Sequence, residues 1–486
     1  MPILVRSPCL TRNGFNRIIP MRNVLLCRRG SVAFGTVMAL VPLIGVVALG
    51  GEAGSWYVTR QHAQNAADAA ALSGAFWLAC KNSGSSLCEP NPAQDYVSRG
   101  KEFAAQNSFC NSGDLSYPGS TCPSSLAKNT SRSVQIDRGT YDVAANTWTG
   151  SASGSDVRAI VGQQQPGYLA ALVGLSTVNI SATAVARVGK PKDVCTLALA
   201  RSPSNSSALT LAGSLSVTGN GCEMMSDDTV KYASTPSFTG SGWAIGAANG
   251  CVNSGNCDPG VPYNYSMPPA TNPLQVLDTA SFNSRTGNDK PATSITCPTS
   301  PPPPTGTNKC YSTAPNSTGA YGNLTVTTGD WVDFAPGTYF FYNAAIKING
   351  GAVTCTTCTS WATTGLGVTL VLLGDSSISI TGGTVSLSAP KTNTTSSALN
   401  GVLIDDQAPH KSNNAVTING SGTVALGGAM YLPNVDVTWS GTTANTNTNC
   451  SEVIANSVTM SGGAYMSTQN CLPNTVPFTQ VVILVH

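Results

Sequence analysis

The stretch QNAADAAALSGA, residues 64–75, decides how the front of this chain is built. Alanine has the highest helix propensity, and no proline interrupts residues 55–80, so this span is predicted to be helical. Ala66, Ala70 and Gly74 recur at four-residue spacing, as do Ala67, Ala71 and Ala75. Two rows of small residues let another backbone approach closely. Asn65 flanks the rows and Asp68 is the acid among them, while Leu72 and Phe76 form an i,i+4 apolar pair beside them. Such a helix either packs on its own domain, with Asp68 solvated or bonded to Asn65 or Gln64, or serves as an assembly surface. The residues leave both readings open.

Just upstream, SVAFGTVMALVPLIGVVALGG (31–51) carries no charge. As a helix it spans about 31 Å, against a hydrocarbon core of about 30 Å. Arg6, Arg12, Arg17, Arg22, Arg28 and Arg29 precede it, and residues 1–51 hold no acid. That asymmetry keeps the N-terminus in the cytoplasm and exports everything after Glu52. Pro42 and Gly45 are compatible with a membrane helix, where both residue types are common. A cleaved signal peptide would have a shorter apolar region, about 7–15 residues, ending in an A-x-A-like site. The run here is longer and no such site follows, so an uncleaved single-pass anchor is expected.

Charged residues make up 10% of the 486, against roughly 25% in a typical soluble domain. A hydrophobic content of 41% excludes a disordered chain. Residues 52–486 hold 19 basic and 23 acidic residues, a net of −4, so nothing there has the basic footprint of a nucleic-acid binder. Of 16 cysteines, Cys9 and Cys27 fall on the inner side. The other 14 fall outside, an even number that suits an oxidising compartment. They lie as neighbours: Cys80/Cys88, Cys110/Cys122, Cys195/Cys222, Cys251/Cys257, Cys297/Cys310, Cys355/Cys358 and Cys450/Cys471. Sequence does not fix their connectivity; neighbour pairing would close a short loop in each case.

After Lys192 the texture changes. LTLAGSLSVTGNGCEM (209–224), VTLVLLGDSSISITGGTVSLSA (368–389) and AVTINGSGTVALGGAMYLPNVDVTWSG (415–441) are β-branched runs broken by glycine and asparagine turns. Their rhythm recurs without a fixed period, as imperfect coils of a parallel β-solenoid would give. A β-sandwich is the alternative. Residues 262–320 read as linker-like and contain CPTSPPPPTGTNKC (297–310), a stiff extended spacer or protruding loop.

The segment from Arg28-Arg29-Gly30 through the apolar span and Gly-Glu-Ala-Gly (51–54) to WYVTRQHAQNAADAAALSGA (56–75) resembles TadG-like proteins of the bacterial tight-adherence (Flp pilus) systems. Fainter similarity continues through VQIDRGTYDVAANTWTG (134–150), VRAIVG (157–162) and LAALVGLSTVNISATAVARV (169–188). FAPGTYFF (334–341) and GGAMYLPN (427–434) resemble segments of the β-rich C-terminal regions of some TadG-like proteins. The resemblance implies an inner-membrane-anchored envelope protein acting with other Tad/Flp pilus-assembly proteins, and no catalytic residue. Two positions depart from it. Pilins are cut after a glycine and carry glutamate five residues on, whereas the fifth residue beyond Gly30 is Gly35, which argues against prepilin processing. The membrane-exit acid, usually aspartate, is Glu52 here.

Several residue groups raise chemistry and fail on context. Asp375, Ser377 and Ser379 have the metal-site spacing of von Willebrand A-type domains, but ISITGGTVSLS follows as strand where a helix is needed. Gly374-Asp375-Ser376 lacks a late D-x-x-H partner, since Gln407 stands where His410 would need an aspartate. Asp405 and Asp406 suggest the paired carboxylates of a β-helix glycan enzyme, without that class's other elements. Cys355-x-x-Cys358 has neither a second pair nor a nearby histidine, so a structural disulfide is expected. The three histidines, His62, His410 and His486, sit in no nucleophile context. No P-loop or dinucleotide fingerprint occurs, and no cofactor, metal or catalytic residue is expected.

The expected protein is mainly β with an N-terminal α part. It comprises a basic cytoplasmic leader (1–30), a transmembrane anchor (31–51) and a juxtamembrane α/β unit (52–190). A β-rich segment with a proline-rich linker or loop (191–320) and a solenoid-like module (321–486) follow. The expected location is the bacterial inner membrane, with the bulk in the periplasm or envelope. The expected function is non-enzymatic support of pilus assembly and adherence, with a surface adhesin or glycan-binding β-helix protein, or a glycan-active enzyme, as alternatives. Glu52, Asn65, Ala66, Ala67, Asp68, Ala70, Ala71, Gly74 and Ala75 form the proposed packing face. Cys110, Cys122, Cys297, Cys310, Cys355, Cys358, Cys450 and Cys471 are the proposed disulfide cysteines. Possible partners beyond the pilus proteins are the membrane and a surface glycan.

Overall fold

A computed structural model describes residues 28–83, 95–111, 126–201, 207–252, 257–282, 319–407, 416–444 and 447–486, with short pieces at 285, 288–289, 305–306 and 309–313. Arg6, Arg12, Arg17, Arg22, Cys9, Cys27, Cys88, Cys122, Cys297, the four-proline run and His410 lie outside the described residues.

The anchor and the alanine-rich helix are one element. Helix α1 runs without a break over Arg28–Ser83, with Pro42 inside it. Its 56 residues measure about 84 Å. Among the described residues, this one helix is long and apolar enough to cross a membrane. Beyond it α2 (Tyr96–Gln106) is capped by Asp95, whose side chain accepts the Ser98 N–H at 2.7 Å.

Four strands follow: β1 (Ser131–Asp142), β2 (Thr147–Gly150), β3 (Asp156–Pro166) and β4 (Thr177–Val188). With Val482–Leu484 from the far end of the chain they form a five-stranded sheet in the order β2, β1, β3, β4, 482–484, all antiparallel. One face of this sheet takes α1. Val134, Ile136, Val157, Ala159, Val161, Ala182, Ala184 and Ala186 share a core with Ala63, Ala66, Ala67, Ala70, Ala71 and Ala75.

Among the described residues, the strands after residue 191, apart from Val482–Leu484, form a 21-stranded assembly dominated by parallel pairing. Its strands include β5 (Lys192–Ala198), β6 (Leu209–Asn220) and β7 (Glu223–Ser226). Register is continuous along a single column of neighbours. Phe340 stands beside Val371, Val371 beside Asp405, Asp405 beside Tyr431, Tyr431 beside Ile454, Ile454 beside Leu197, and Leu197 beside Met225. Sequence order and spatial order thus differ. β5 and β6 pair with Ser451–Ser467, so the beginning of this half sits in mid-ladder against its end. Pairing also crosses residue 320, since Lys309–Thr313 runs parallel to Asp330–Phe334.

Two cores explain the burial pattern. Strand 368–373, VTLVLL, is buried at every residue, whereas 345–354, AIKINGGAVT, alternates. Parallel strands covered on both faces read as continuous apolar runs. The inner face holds Leu370, Leu372, Ile378, Leu403, Trp439 and Met460. The outer face of the 340–371–431–454–197–225 column is covered by Met267, Ala270, Leu274 and Leu277. Residues 267–282, read as linker-like from sequence, instead lie across the ladder. The Ala270 N–H donates to Asp227, Asn272 and Asp278 both meet the Tyr431 hydroxyl, and Phe282 packs 5.2 Å from Phe340. The turn Gln275–Thr279 places Leu277 in that core.

Candidate membrane-proximal assembly site

The small-residue rows of α1 are consumed inside the chain. Ala66, Ala67, Ala70, Ala71 and Ala75 are all fully buried. The row Ala66/Ala70/Gly74 carries a helix crossing. A Cβ at Gly74 would stand 3.0 Å from both the Tyr96 carbonyl oxygen and Val157 Cγ1. A Cβ at Gly100 of α2 would stand 3.1 Å from the Ala70 carbonyl oxygen. Ser73 stitches the crossing, donating to the carbonyls of Ala70 (3.1 Å) and Arg99 (3.3 Å). Side-chain size at the contact sets how near two helices come, so these positions fix the approach.

Asn65 is exposed, and Asp68 is half-buried at the edge of the interface. Gln64 Nε2 donates to Asp68 Oδ1 at 2.8 Å and reaches the Thr183 carbonyl on β4 at 3.3 Å. Asp68 thus orients a glutamine that ties the helix to the sheet.

Glu52 makes a contact that no local sequence pattern signals. Its carboxylate accepts the backbone N–H groups of Tyr168 (2.7 Å), Leu169 (3.0 Å) and Ala170 (3.0 Å). These belong to the β3–β4 loop, where the short 3₁₀ turn Ala170–Val173 begins. The first N–H groups of a helical turn have no partner of their own, and a carboxylate satisfies them with the favourable charge. At the opposite end of the same sheet Asp156 is fully buried and faces Arg187. Burial works against its charge, but the Arg187 guanidinium and the Tyr141 N–H hold its carboxyl below the ordinary range.

A cleft of about 620 Å³ opens where the helices meet the β-rich half. Leu72, Phe76 and Trp77 of α1 and Phe103 of α2 line one side, and Asp227, Met267 and Pro268 the other. The apolar pair Leu72/Phe76 therefore faces this cleft, both residues half-buried.

The other candidate groups fall into structural settings. Asp375 is exposed, its N–H donates to Asn343 Oδ1 at 2.9 Å, and strand Ser377–Ser388 begins two residues later. Asp405 and Asp406 are both buried and adjacent in one strand, Val402–Asp406. Successive strand side chains point to opposite faces, so their carboxylates do not share a groove. Cys450, Glu452 and Cys471 lie close enough to hold an ion, but the two sulfurs are joined in a disulfide. Cys195–Cys222, Cys251–Cys257 and Cys355–Cys358 are also bonded. Cys80 and Cys110 are disulfide-bonded as well. The proposed Cys110/Cys122 and Cys297/Cys310 pairs each include a cysteine outside the described residues.

Sequence reasoning singled out Asp405 as a candidate carboxylate but missed Glu223, Asp227 and Glu452, with which it forms a set of buried acids with a common use. Glu452 accepts the Thr475 hydroxyl at 3.0 Å, Glu223 accepts the Thr479 hydroxyl, and Asp227 accepts the Ala270 N–H at 2.9 Å. Asp405 accepts Gln407 Nε2 at 3.0 Å, and Gln407 also reaches the Leu277 carbonyl. Each acid sits beneath a segment that covers the ladder. Burial raises Asp227 to about 7 and both Asp405 and Glu452 to about 8, and pushes Glu223 up as well. The signal available in sequence was acids inside apolar strand runs, as in VLIDD and SEVIAN.

Comparison with known proteins bears on the first portion. Residues 30–76 match the Flp pilus-assembly TadE/G-like family, and residues 82–186 match the Tad-like Flp pilus-assembly family. No curated protein and no solved structure matches the chain. The two matches are separated by residues 77–81 and together cover most of α1, all of α2 and nearly all of β1–β4. Residues 30–76 and 82–186 are thus similar to the TadE/G-like and Tad-like Flp pilus-assembly proteins, in line with the resemblance carried by the sequence.

Proposed function

We propose that this is a non-enzymatic, single-pass envelope protein that supports Flp/Tad pilus assembly and adherence from the exported side of the bacterial inner membrane. The observation that carries the reading is the continuity of α1. Val37, Met38, Ile44, Val46 and Val47 are 57–70% exposed, as lipid-facing residues would be. The same helix then enters the core of the folded unit, where Ala63, Ala66, Ala67, Ala70, Ala71, Ala75 and Ala79 are buried against the sheet. The folded part is thus built directly onto the apolar span, with no linker between them. Residues 1–30 then form the cytoplasmic leader and 31–51 the anchor.

In this reading the β-rich half is a parallel solenoid rather than a sandwich. Parallel register carried through seven successive strands supports it, as do an inner core and a covered outer face. Because β5 and β6 pair with Ser451–Ser467, we treat 191–320 and 321–486 as one module. Partner contacts with pilus proteins are assigned to the exposed surface and the cleft beside Leu72 and Trp77. The small-residue rows serve as an internal packing face. A glycan-binding row of aromatics is not favoured. Among the described residues the exposed aromatics are Tyr57, Tyr168 and Tyr263, and only Tyr263 is in the β-rich half.

The test is a clean deletion strain, sheared and immunoblotted for the major pilin, with total pilin as control. Loss of sheared pilin with total pilin intact supports a role in assembly. Unchanged sheared pilin refutes it and leaves the β-rich half to be tested as an independent adhesin.

A further inference from the structure

The latch between Glu52 and the β3–β4 loop has a consequence for how the protein sits on the membrane. Leu49 is the last strongly exposed apolar residue of the span, 43% exposed, and Glu52 follows three residues on. That is about 4.5 Å along the helix axis. The polar layer on each side of a bilayer is about 5–8 Å thick. Glu52, and the backbone of Tyr168, Leu169 and Ala170 bonded to it, therefore stand in that layer.

The loop has the chemistry of that place. Residues 167–176, GYLAALVGLS, contain no charge. Its ends are closed by the Gly167 N–H to the Ser176 carbonyl at 3.0 Å, and Gly174 turns it with a φ of 93° that disfavours a side chain. Tyr168 is 76% and Leu175 54% exposed. Tyrosine with its ring in lipid and its hydroxyl in water is the usual occupant of a membrane–water boundary. Backbone N–H groups near hydrocarbon need internal partners, and the Glu52 carboxylate supplies three.

We propose that residues 167–176 form a foot that rests on the exported leaflet of the same bilayer that α1 crosses, with Tyr168 and Leu175 in the headgroup–acyl boundary. The foot and the helix are two points of attachment. Together they fix the tilt of the five-stranded sheet, and of the β-rich half joined to it through Val482–Leu484, relative to the membrane plane. This rests on the reading of α1 as a membrane span.

The test uses the full chain in phosphatidylcholine/phosphatidylglycerol vesicles. A fluorescent amino acid is encoded in place of Tyr168, Val143 or Ile44 in separate proteins. Val143 is exposed in the β1–β2 turn, at the end of the sheet away from the loop. Quenching is read with headgroup-nitroxide lipid, mid-chain-nitroxide lipid and aqueous iodide. The proposal expects position 168 to lose fluorescence to headgroup nitroxide, position 44 to mid-chain nitroxide and position 143 to iodide alone. Glu52→Ala should weaken the lipid quenching at 168 and leave that at 44 unchanged. If 44 is quenched by lipid while 168 responds only to iodide, the foot is refuted and the span stands. If 44 escapes lipid quenching, the span itself is refuted. Position 168 shielded from lipid and iodide alike would mean that a protein surface covers the loop, which also overturns the proposal.

Discussion

Asp156 and Arg187 face each other across β3 and β4 and are joined by two hydrogen bonds, Nε to Oδ1 at 2.8 Å and Nη2 to Oδ2 at 2.7 Å. The acid is fully buried and the arginine side chain is 32% exposed. Arg187 also donates to the Tyr141 carbonyl, so the pair ties β1, β3 and β4 together. Removing one partner of a buried pair leaves an uncompensated polar group and costs about 3–5 kcal/mol. Because Arg187 reaches water, the lower end applies. Asp156→Ala should raise hydrogen exchange through β3 and β4 in the full chain, and Asp156→Ala/Arg187→Met should recover part of the protection. Equal exchange in wild type and Asp156→Ala would show the pair to be dispensable.

The helix crossing gives a second prediction. At Gly74 a Cβ already meets backbone and Val157 at 3.0 Å, so a larger side chain must displace α2 or β3. Overpacking of this kind costs about 1–3 kcal/mol. Gly74→Leu should expose residues 95–111 to limited proteolysis at concentrations that spare the wild type. Asn65→Leu, on the exposed side of the same helix, should cleave like wild type.

The two halves should respond to pH in opposite directions. Asp227, Asp405 and Glu452 bind protons more tightly folded than unfolded. Their contribution is complete below the unfolded value of about 4 and is lost as pH rises through about 7–8. Asp156 is shifted down, so its contribution is present above about 4 and is lost as pH falls further. Hydrogen exchange by region, corrected for the intrinsic pH dependence, should show the β-rich half loosening as pH rises from about 4 to about 8 and β3–β4 loosening first in acid. Asp227→Asn should flatten the alkaline limb around residues 267–282. An unaltered alkaline limb in that variant would rule out Asp227 as its source.

The disulfides should differ in worth by the loop each closes. Cys195–Cys222 and Cys450–Cys471 have separations of 27 and 21 residues, and Cys355–Cys358 only 3. Loop-closure entropy assigns about 3–4 kcal/mol to each of the first two and less than about 2 to the third. Paired Cys→Ser variants compared by melting temperature should therefore rank Cys195/Cys222 and Cys450/Cys471 well below Cys355/Cys358.

Local features were legible in the residues. Propensity and four-residue spacing predicted a helix at 55–80, and it extends over Arg28–Ser83 because no breaker separates it from the apolar run. Period-2 alternation and turn glycines predicted strands such as those in 209–224 and 368–389, which the structure contains. The small rows were visible, but their target was not. Alanines at i and i+4 admit any close backbone, and only the fold places β3, β4 and α2 there.

What the sequence determined by itself is whatever is decided within a few residues: the apolar span, the alanine helix, the strand rhythm and the neighbouring cysteines. What only the tertiary structure decided is which distant groups meet. Glu52 finds Leu169 across 117 positions, β5 lies beside Ile454, and residues 267–282 cross the ladder over acids buried in apolar strands. Parallel pairing brings together segments far apart in the chain, and a buried carboxyl must be satisfied by whatever segment arrives above it. Neither constraint leaves a mark at fixed spacing, so neither can be read before the chain is folded.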